Sequence, residues 1–548
     1  PSATPQSLST TAWACATLGF LDKPLLTAIA SASIRKLDQF LCQGLTNTLW
    51  AYAKLAFSDV PLLSAISSAA LARLREFRSQ ELANTSWSLA RMQSCNGRAA
   101  GAIAAELVGQ QAGARELVTT AWSCAHLQRS NMPLLDAIAA EGIAKRQACS
   151  SQDLANLAWS YAMLSVRNGP LLAAISSAAL ARISAFNSQE LANLAWSFAT
   201  RGVPDRPLLA ALSAEAIPKI GHFPAQDLSI TAWSFAKLCV EDAPLLASIS
   251  AAAIPRCRDF VAKGISNMAW AVAVLLVEDA PLLDALSSSA IPKIADFSTQ
   301  ELSNLAWAVA SLVSRDVPLL ASISAASLQR MQEFNLIDMV NTSWSFAELR
   351  VPDGPLFAAI SSAAIRTLAA APIRGSGTLR AEDLLGTLHA FASIAAPSHA
   401  LREAVTSHLR RWAAVLDSTP SAQRPPATGS LAAAAAATPQ LLAATRELYV
   451  LWKPPGWTVS VASGGVSNAE EEDWQDVSSG QPLQGWLMQE FGAQRPIAND
   501  ADVSHGLLHR LDRQTSGALV WAPTYAGFYA ARVEFAALRV LKEYVCLC

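Results

Sequence analysis

The apolar residues of the first two-thirds of the chain are spaced as in pairs of short amphipathic helices. In residues 187–223, the first half places apolar side chains at the i, i+3, i+4 and i+7 positions of one helix face: Leu191, Leu194, Ala195 and Phe198. Glu190 falls in the first turn, where a carboxylate complements the helix dipole. A glycine, a proline and an aspartate between positions 202 and 205 end this helix, and Pro207 begins a second one.

Tryptophan marks the period of these units. Ten tryptophans follow one another at intervals of 37 residues, with one interval of 35: Trp13, Trp50, Trp87, Trp122, Trp159, Trp196, Trp233, Trp270, Trp307 and Trp344. Two short helices cannot bury their apolar faces alone, so stacked units predict an α-solenoid of paired helices over residues 1–370. A degenerate capping repeat is expected at 371–418. We expect the tryptophans, which are flanked by small residues, to lie in the core.

Proline is expected to shorten the second helix of three units. It occupies the same place in three Ile-Pro motifs, at Pro218, Pro255 and Pro292. A proline inside a helix removes one hydrogen bond and clashes with the preceding turn. We therefore expect these helices to kink or to end early.

The repeat unit, with its LANxxWxxA and PLLxAI patterns, resembles the octotricopeptide repeat. The resemblance covers roughly residues 6–370. It implies a helical-repeat protein that contacts single-stranded RNA along its concave face, in a chloroplast or a mitochondrion.

Two further columns of the repeat are candidates for RNA contact. Asparagine stands three residues before the tryptophan in seven units: Asn47, Asn84, Asn156, Asn193, Asn267, Asn304 and Asn341. Its amide is suited to a base edge, or alternatively to backbone groups between stacked helices. A cation stands 23 residues after the tryptophan in eight units: Lys36, Arg73, Lys145, Arg182, Lys219, Arg256, Lys293 and Arg330. These cations are our RNA-binding candidates, because a row of positive charges is suited to the phosphates of an RNA strand. The alternative is that each is a basic side chain near a helix C-terminus, where it stabilises the helix dipole.

The periodicity ends near residue 418. Residues 419–446 begin with a stretch rich in proline, serine, threonine and alanine, which predicts a flexible linker. Residues 447–548 alternate between strand and helix patterns, with an acidic insertion at 470–476 and a short amphipathic helix expected at 482–492.

The segment Gly506–Ala522, GLLHRLDRQTSGALVWA, resembles the signature of RluA-type pseudouridine synthases. The upstream turn that begins at Lys453 and the Lys-Glu-Tyr segment ending at Tyr544 resemble two further motifs of that family. The resemblance implies the N-terminal part of an α+β synthase domain at 447–548, with Asp512 as the catalytic aspartate. It also implies substrate-binding roles for four residues: Arg510, which would fill the space of the flipped nucleotide, Tyr544, which would stack on the uracil, Arg513 and Thr515.

The chemistry of uridine isomerisation agrees with these residues. The reaction breaks a glycosidic bond, turns the base and rejoins it through carbon, which requires a carboxylate acting as nucleophile or base and a pocket for a flipped base. It requires no cofactor and no metal. The later motifs of the family have no counterpart before Cys548, so we expect that this polypeptide by itself cannot complete the catalytic sheet.

Composition and charge limit the classes of protein to which this chain can belong. Apolar residues make up 52% and charged residues 15% of the chain, which predicts a large core. The net charge of −2 excludes a strongly basic nucleic-acid-binding slab. The cysteine and histidine spacings do not indicate a metal site, and no apolar run is long enough to predict a membrane span.

The sequence therefore predicts an RNA-modifying protein, in which repeats bind RNA (ribosomal, transfer or organellar transcript) and a synthase domain isomerises uridine. Two alternatives stay open. The repeats are an RNA-binding or RNA-stabilising factor that carries an inactive, truncated synthase domain, or they are a scaffold for other proteins.

Overall fold

Every unit marked by a tryptophan contains a first helix, which carries the tryptophan, and a second helix that follows it. We call them the A helix and the B helix. The computed structural model of the protein describes residues 3–92, 97–110, 112–128, 132–370, 381–394, 398–418, 438–455, 457–459, 481–509, 511, 517–538 and 540. The chain divides into two compact units, Pro1–Ser289 and Ala290–Cys548.

The helices follow the predicted period. The A helices are α1 Pro5–Leu18, α3 Cys42–Lys54, α5 Ser79–Arg91, α7 Ala114–His126, α9 Ser151–Met163, α11 Ser188–Thr200, α13 Ala225–Lys237, α15 Ala262–Val274, α17 Thr299–Ser311 and α19 Leu336–Glu348. The B helices are α2 Lys23–Arg35, α4 Val60–Ala72, α6 Gly97–Gly109, α8 Met132–Ala144, α10 Gly169–Leu180, α12 Arg206–Lys219, α14 Ala243–Ala253, α16 Ala280–Ala290, α18 Val317–Gln329 and α20 Gly354–Ala370.

Local sequence explains where these helices begin. The B helix α12 is capped by Asp205, whose carboxylate accepts a hydrogen bond from the Leu208 backbone N–H at 3.1 Å. The A helix α11 begins with a capping box, in which Asn187 and Glu190 each accept a hydrogen bond from the other's backbone N–H. The predicted role of Glu190 at the helix start is confirmed.

The ends of the helices are equally regular. Six residues after the tryptophan, the backbone of most units turns into the left-handed region, with φ of 62° at Gly202 and 51° at Leu276. Two of the three prolines of the Ile-Pro motifs act as predicted. Pro255 and Pro292 lie in 3-10 helices, Ile254–Asp259 and Ile291–Asp296, which follow directly on shortened B helices. For Pro218 the prediction is wrong: this proline lies inside α12, one residue before the end, and α12 has 14 residues and is not shortened.

Side-by-side packing of consecutive A helices forms the centre of each compact unit. In the first unit this packing runs from α1 through α3 and on to α15, and in the second unit it joins α17 to α19. In α11, residues on nearly every side of the helix are buried, including Leu191, Leu194 and Phe198. Only a narrow stripe of each A helix is left at the surface.

The second unit ends in a further helix pair and a small α/β segment. The pair is α21 Ala381–Ser393 and α22 His399–Ser418, at the place of the expected capping repeat, and α21 packs against α19. The segment contains β1 Gln440–Ala444, β2 Tyr449–Lys453, β3 Trp457–Thr458, β4 Gln481–Pro482, α23 Leu483–Phe491, β5 Gly517–Trp521 and α24 Tyr525–Ala536. The sheet order is β1-β2-β5, all antiparallel, and β3 pairs with β4 in parallel. The helix expected at 482–492 is confirmed as α23.

The α/β segment lies directly against the last helix pair. The Asp417 carboxylate of α22 accepts hydrogen bonds from the backbone N–H groups of Tyr525 and Ala526, at 3.0 and 3.2 Å, at the start of α24. Trp412 of α22 stacks on Tyr529 of α24, with ring centroids 6.0 Å apart. The expected linker at 419–446 thus joins two parts that already touch, and its residues 419–437 lie outside the described part of the chain.

Candidate nucleic-acid interface

One face of each A helix reaches the surface, and three of its four positions carry the same residue type in most units. The four positions are seven and three residues before the tryptophan, the tryptophan itself, and four residues after it. We call this surface the A-helix stripe. In α11 these positions are Gln189, Asn193, Trp196 and Thr200, of which Gln189 is exposed and the other three are half-buried.

The expectation that the tryptophans form the core is therefore wrong. Nine of them are half-buried and Trp13 is 45% exposed. The reason is helical phase. A step of 100° per residue places Trp196 away from the apolar face of Leu191, Leu194 and Phe198, and the small residues beside it fill the contact between neighbouring A helices instead.

Aromatic rings follow one another along the stripe. Trp87 and Trp122 are stacked with centroids 6.4 Å apart, and His126 stacks on Trp122 at 4.3 Å and faces Trp159 at 6.4 Å. Farther along, Trp233 and Trp270 lie 6.3 Å apart. The half-exposed rings can offer π-faces to unpaired bases, which stack on aromatic side chains whatever the base.

Cations lie beside two of these rings. The Lys54 ammonium lies 4.8 Å from the centroid of Trp50, and the Arg91 guanidinium 5.6 Å from that of Trp87. Both belong to the position four residues after the tryptophan, so they lie one helical turn along the stripe. A positive charge next to a stacking platform is favourable for a nucleotide, because it attracts the phosphate.

The asparagines of the Asn column lie on the stripe, half-buried and one turn before each tryptophan. In four of the seven units the asparagine backbone carbonyl accepts a hydrogen bond from a buried serine four residues later, as in Ser197 Oγ to Asn193 O at 2.6 Å. The serine hydroxyl thus bonds to the main chain, and the asparagine amide emerges at the surface beside Trp196. Both interpretations of the asparagine amide stay predictions.

The eight cations of the basic column do not extend freely into solvent, as would be expected if they formed a stripe for phosphates. Seven of its members donate a hydrogen bond to a backbone carbonyl 33 residues earlier in the chain, in the preceding repeat: Lys36 to Ala3, Arg73 to Phe40, Lys145 to Ala112, Arg182 to Cys149, Lys219 to Phe186, Arg256 to Phe223 and Arg330 to Phe297. The eighth, Lys293, occupies the same place in the 3-10 helix Ile291–Asp296. We call these contacts the inter-repeat ties.

Several cations of the inter-repeat ties also form ion pairs with carboxylates of their own repeat. Lys145 is paired with Glu141 and Lys219 with Glu215, at 2.8 and 2.7 Å. Arg330 bonds to Glu333 and holds the pKa of that carboxyl below its ordinary value. With their donors directed at carbonyls and carboxylates, these cations serve to join repeats, and their expected contact with phosphates stays a prediction.

Sequence reasoning missed two of the four stripe positions. The position seven residues before the tryptophan is exposed in every unit and is glutamine in seven of them: Gln6, Gln43, Gln80, Gln152, Gln189, Gln226 and Gln300. The position four residues after the tryptophan is exposed or half-buried throughout. The four positions are separated by four, three and four residues, which is the spacing of one helix face. This spacing could have shown from the sequence that the two missed positions lie beside the asparagines and the tryptophans.

The synthase-like motifs are only partly within the described residues. Arg510, Asp512, Arg513, Thr515 and Tyr544 lie outside them. The described residues on either side bring the motifs together. Lys453, at the end of β2, is the register partner of Gly517, at the start of β5.

The described residues on either side of the signature's undescribed part contact the small sheet. The His509 Nε2 accepts a hydrogen bond from the Val520 N–H at 3.2 Å, which fixes the residues before that part to β5. Lys453 is buried, and its ammonium donates to the carbonyls of Pro454 and Trp457 in the turn that follows β2. With its ammonium bonded to these carbonyls, Lys453 has a structural role in that turn.

Within the part of the chain that the structure describes, no group of His, Cys, Asp and Glu side chains is arranged to hold a metal ion. Across the same residues, no helix has the length and apolar character needed to cross a lipid bilayer.

Paired helices at a stride of 37 residues define a helical-repeat protein, in an arrangement that agrees with the expected solenoid. The model of one protein family, described as RESC6, RNA-editing substrate-binding complex 6 protein, matches residues 107–354. These residues include the A helices from α7 to α19, and the match does not extend to the α/β segment. A search of the curated proteins finds no match.

Proposed function

We propose that this protein binds single-stranded RNA along the A-helix stripe. The observation that carries the proposal is a recurrence on one helix face: glutamine and asparagine each occupy their position in seven units, and tryptophan occupies its position in all ten. Amides bond to base edges and backbone groups, and half-exposed indoles stack on bases. The description of the RESC6 family as RNA-editing substrate-binding supports RNA as the partner, and transcripts that undergo editing are the proposed class.

The charge of the chain favours stacking over phosphate contacts as the main source of affinity. The net charge is −2, and most of the repeated cations are engaged in the inter-repeat ties. A duplex, whose bases are already stacked and whose backbone is densely charged, is a poor partner for such a surface. Single strands with accessible bases are the better one. An organellar location, chloroplast or mitochondrion, stays a prediction from the repeat resemblance.

The experiment replaces Trp196 by alanine in the full chain and measures binding to single-stranded RNA by fluorescence anisotropy. Loss of one stacked base weakens binding by about 1–3 kcal/mol, roughly five- to 150-fold. Leu180→Ala removes an exposed apolar side chain from a B helix and is the control, with unchanged affinity expected. RNA binding that is unaffected by Trp196→Ala would contradict the proposed surface. If the unaltered chain binds no single-stranded RNA at low salt, the protein-scaffold alternative is favoured.

Pseudouridine synthesis is a second candidate, favoured by one observation. The antiparallel pairing of β2 with β5 places Lys453 of the first motif beside Gly517 at the end of the HRLDRQTSG signature. Two motifs that are more than 50 residues apart in sequence thus meet at one edge of a sheet. On this proposal the repeats bind the transcript and Asp512 acts on a flipped uridine, whereas the alternative of an RNA-binding factor with an inactive synthase segment agrees better with the match to RESC6.

A further inference from the structure

One position of the A-helix stripe differs from the other three in its variability. Four residues after the tryptophan, the ten units carry Thr17, Lys54, Arg91, His126, Met163, Thr200, Lys237, Val274, Ser311 and Glu348. These are eight kinds of side chain, which include cations, an anion, hydroxyls and apolar groups. By contrast, glutamine and asparagine each recur in seven units at their positions, and tryptophan in all ten.

The backbone at this position is as regular as the side chain is variable. In nine units the residue is the last of its A helix, from Lys54 at the end of α3 to Glu348 at the end of α19. The left-handed turn that follows two residues later fixes the direction of the chain. Different side chains are therefore presented from one constant backbone geometry.

This position lies next to the proposed stacking platform. Where contacts are defined, its side chain is against the indole of the same helix: Lys54 at 4.8 Å from Trp50, Arg91 at 5.6 Å from Trp87 and His126 at 4.3 Å from Trp122. A base that stacks on an indole turns its polar edge sideways, within reach of a side chain one helical turn away.

We infer that the residue four positions after each tryptophan determines which base that repeat accepts. The inference rests on the proposed RNA binding and specifies its selectivity. The amides recur in most repeats and the indoles in all ten, so they cannot account for a base preference that differs from one repeat to the next. The variable side chain discriminates. Arginine and lysine donate to the acceptors of guanine, glutamate accepts from the cytosine amino group, and serine and threonine do either. Methionine and valine exclude water without offering a hydrogen bond.

The test exchanges two side chains between repeats without altering composition or charge. Met163→Lys combined with Lys237→Met exchanges two exposed stripe residues of the first compact unit. The full chain and the double variant are each used to select RNA from a random single-stranded pool, and the selected sequences are compared. We expect the base preferences at two positions of the selected motif to change, by about five- to 150-fold in relative affinity. Affinity for the unselected pool should stay within about twofold, because the net charge is unchanged.

A matched control makes the same exchange elsewhere. Lys23 and Met132 are the exposed first residues of the B helices α2 and α8, so Lys23→Met combined with Met132→Lys moves the same two side chains between repeats, off the stripe. The control should select the motif of the unaltered chain.

Three outcomes would overturn the inference, and they differ in what they say about RNA binding. An unaltered motif in the Met163/Lys237 variant would show that the position is a freely varying helix end. RNA binding without any base preference in the unaltered chain would reject the inference and leave the proposed function intact. No RNA binding at all would reject both.

Discussion

The inter-repeat tie of Arg256 provides a direct test of what the basic column does. Its guanidinium donates two hydrogen bonds to backbone carbonyls of the preceding repeat, Nη1 to Phe223 and Nη2 to Gly221, both at 2.6 Å. A hydrogen bond from a charged donor contributes about 1.5–3 kcal/mol when buried. Since the Arg256 side chain is half-buried and the carbonyls can be hydrated when it is removed, we expect Arg256→Met to lower the free energy of unfolding by about 1.5–3 kcal/mol in total.

Urea unfolding of the full chain, followed by far-ultraviolet circular dichroism, measures this change. The Arg256→Lys variant should keep most of the stability of the unaltered protein, because Lys219 donates the equivalent pair of hydrogen bonds, to the carbonyls of Phe186 and Ser184. Arg206→Met, which removes an exposed cation at the start of α12, should change little and is the control.

The opposite result has a distinct signature. If Arg256→Met leaves stability within about 0.5 kcal/mol but reduces the slope of log affinity for RNA against log salt by about 0.7, Arg256 contacts a phosphate. That pair of results would refute the inter-repeat tie as its main role and support the phosphate stripe that the sequence predicts.

Three further predictions concern single residues. Leu276→Gly should raise the urea midpoint, with a gain of about 1 kcal/mol, because Leu276 is exposed and has a φ of 51° that costs an L-residue energy and glycine none. Burial raises the pKa of Asp227 in the folded state, so the ionisation of this carboxyl lowers the free energy of unfolding as the pH rises through the carboxyl range. Asp227→Asn should therefore stabilise the protein at pH 7. Urea unfolding at several pH values should show that this gain disappears in acid. In a chain that includes a complete synthase domain, Asp512→Asn should abolish pseudouridine formation in a carbodiimide assay while RNA binding by the repeats stays within a few-fold; turnover near that of the unaltered protein would remove Asp512 from its assigned role.

The helices could be predicted from the sequence because their determinants are local. The 3.6-residue period, the capping Asn187 and Glu190, and the proline-shortened B helices all act within one unit. The tryptophans were misplaced because their hydrophobicity was given more weight than their phase. The apolar face of Leu191 and Phe198 already places Trp196 outside the core.

The inter-repeat ties could not be predicted for a different reason. A cation such as Arg182 finds its partner, the Cys149 carbonyl, 33 residues away, and a backbone acceptor leaves no mark in the side-chain sequence. The synthase resemblance is the reverse case. Its motif is explicit in the sequence, but Asp512 lies outside the described residues, and the structure contributes only the residues on either side of it, up to His509 and from Gly517 onward.

The acceptor of each tie has a consequence for how such a protein can change in evolution. A main-chain carbonyl is supplied by every repeat whatever its side chains, so a cation such as Lys219 does not need a particular neighbour. The ties therefore require no matching side-chain change when whole units are duplicated, deleted or reordered by recombination, and it is the packing of neighbouring A helices that has to be kept. If the residue that ends each A helix selects a base, such rearrangements would produce proteins with new RNA targets from units that already fit together.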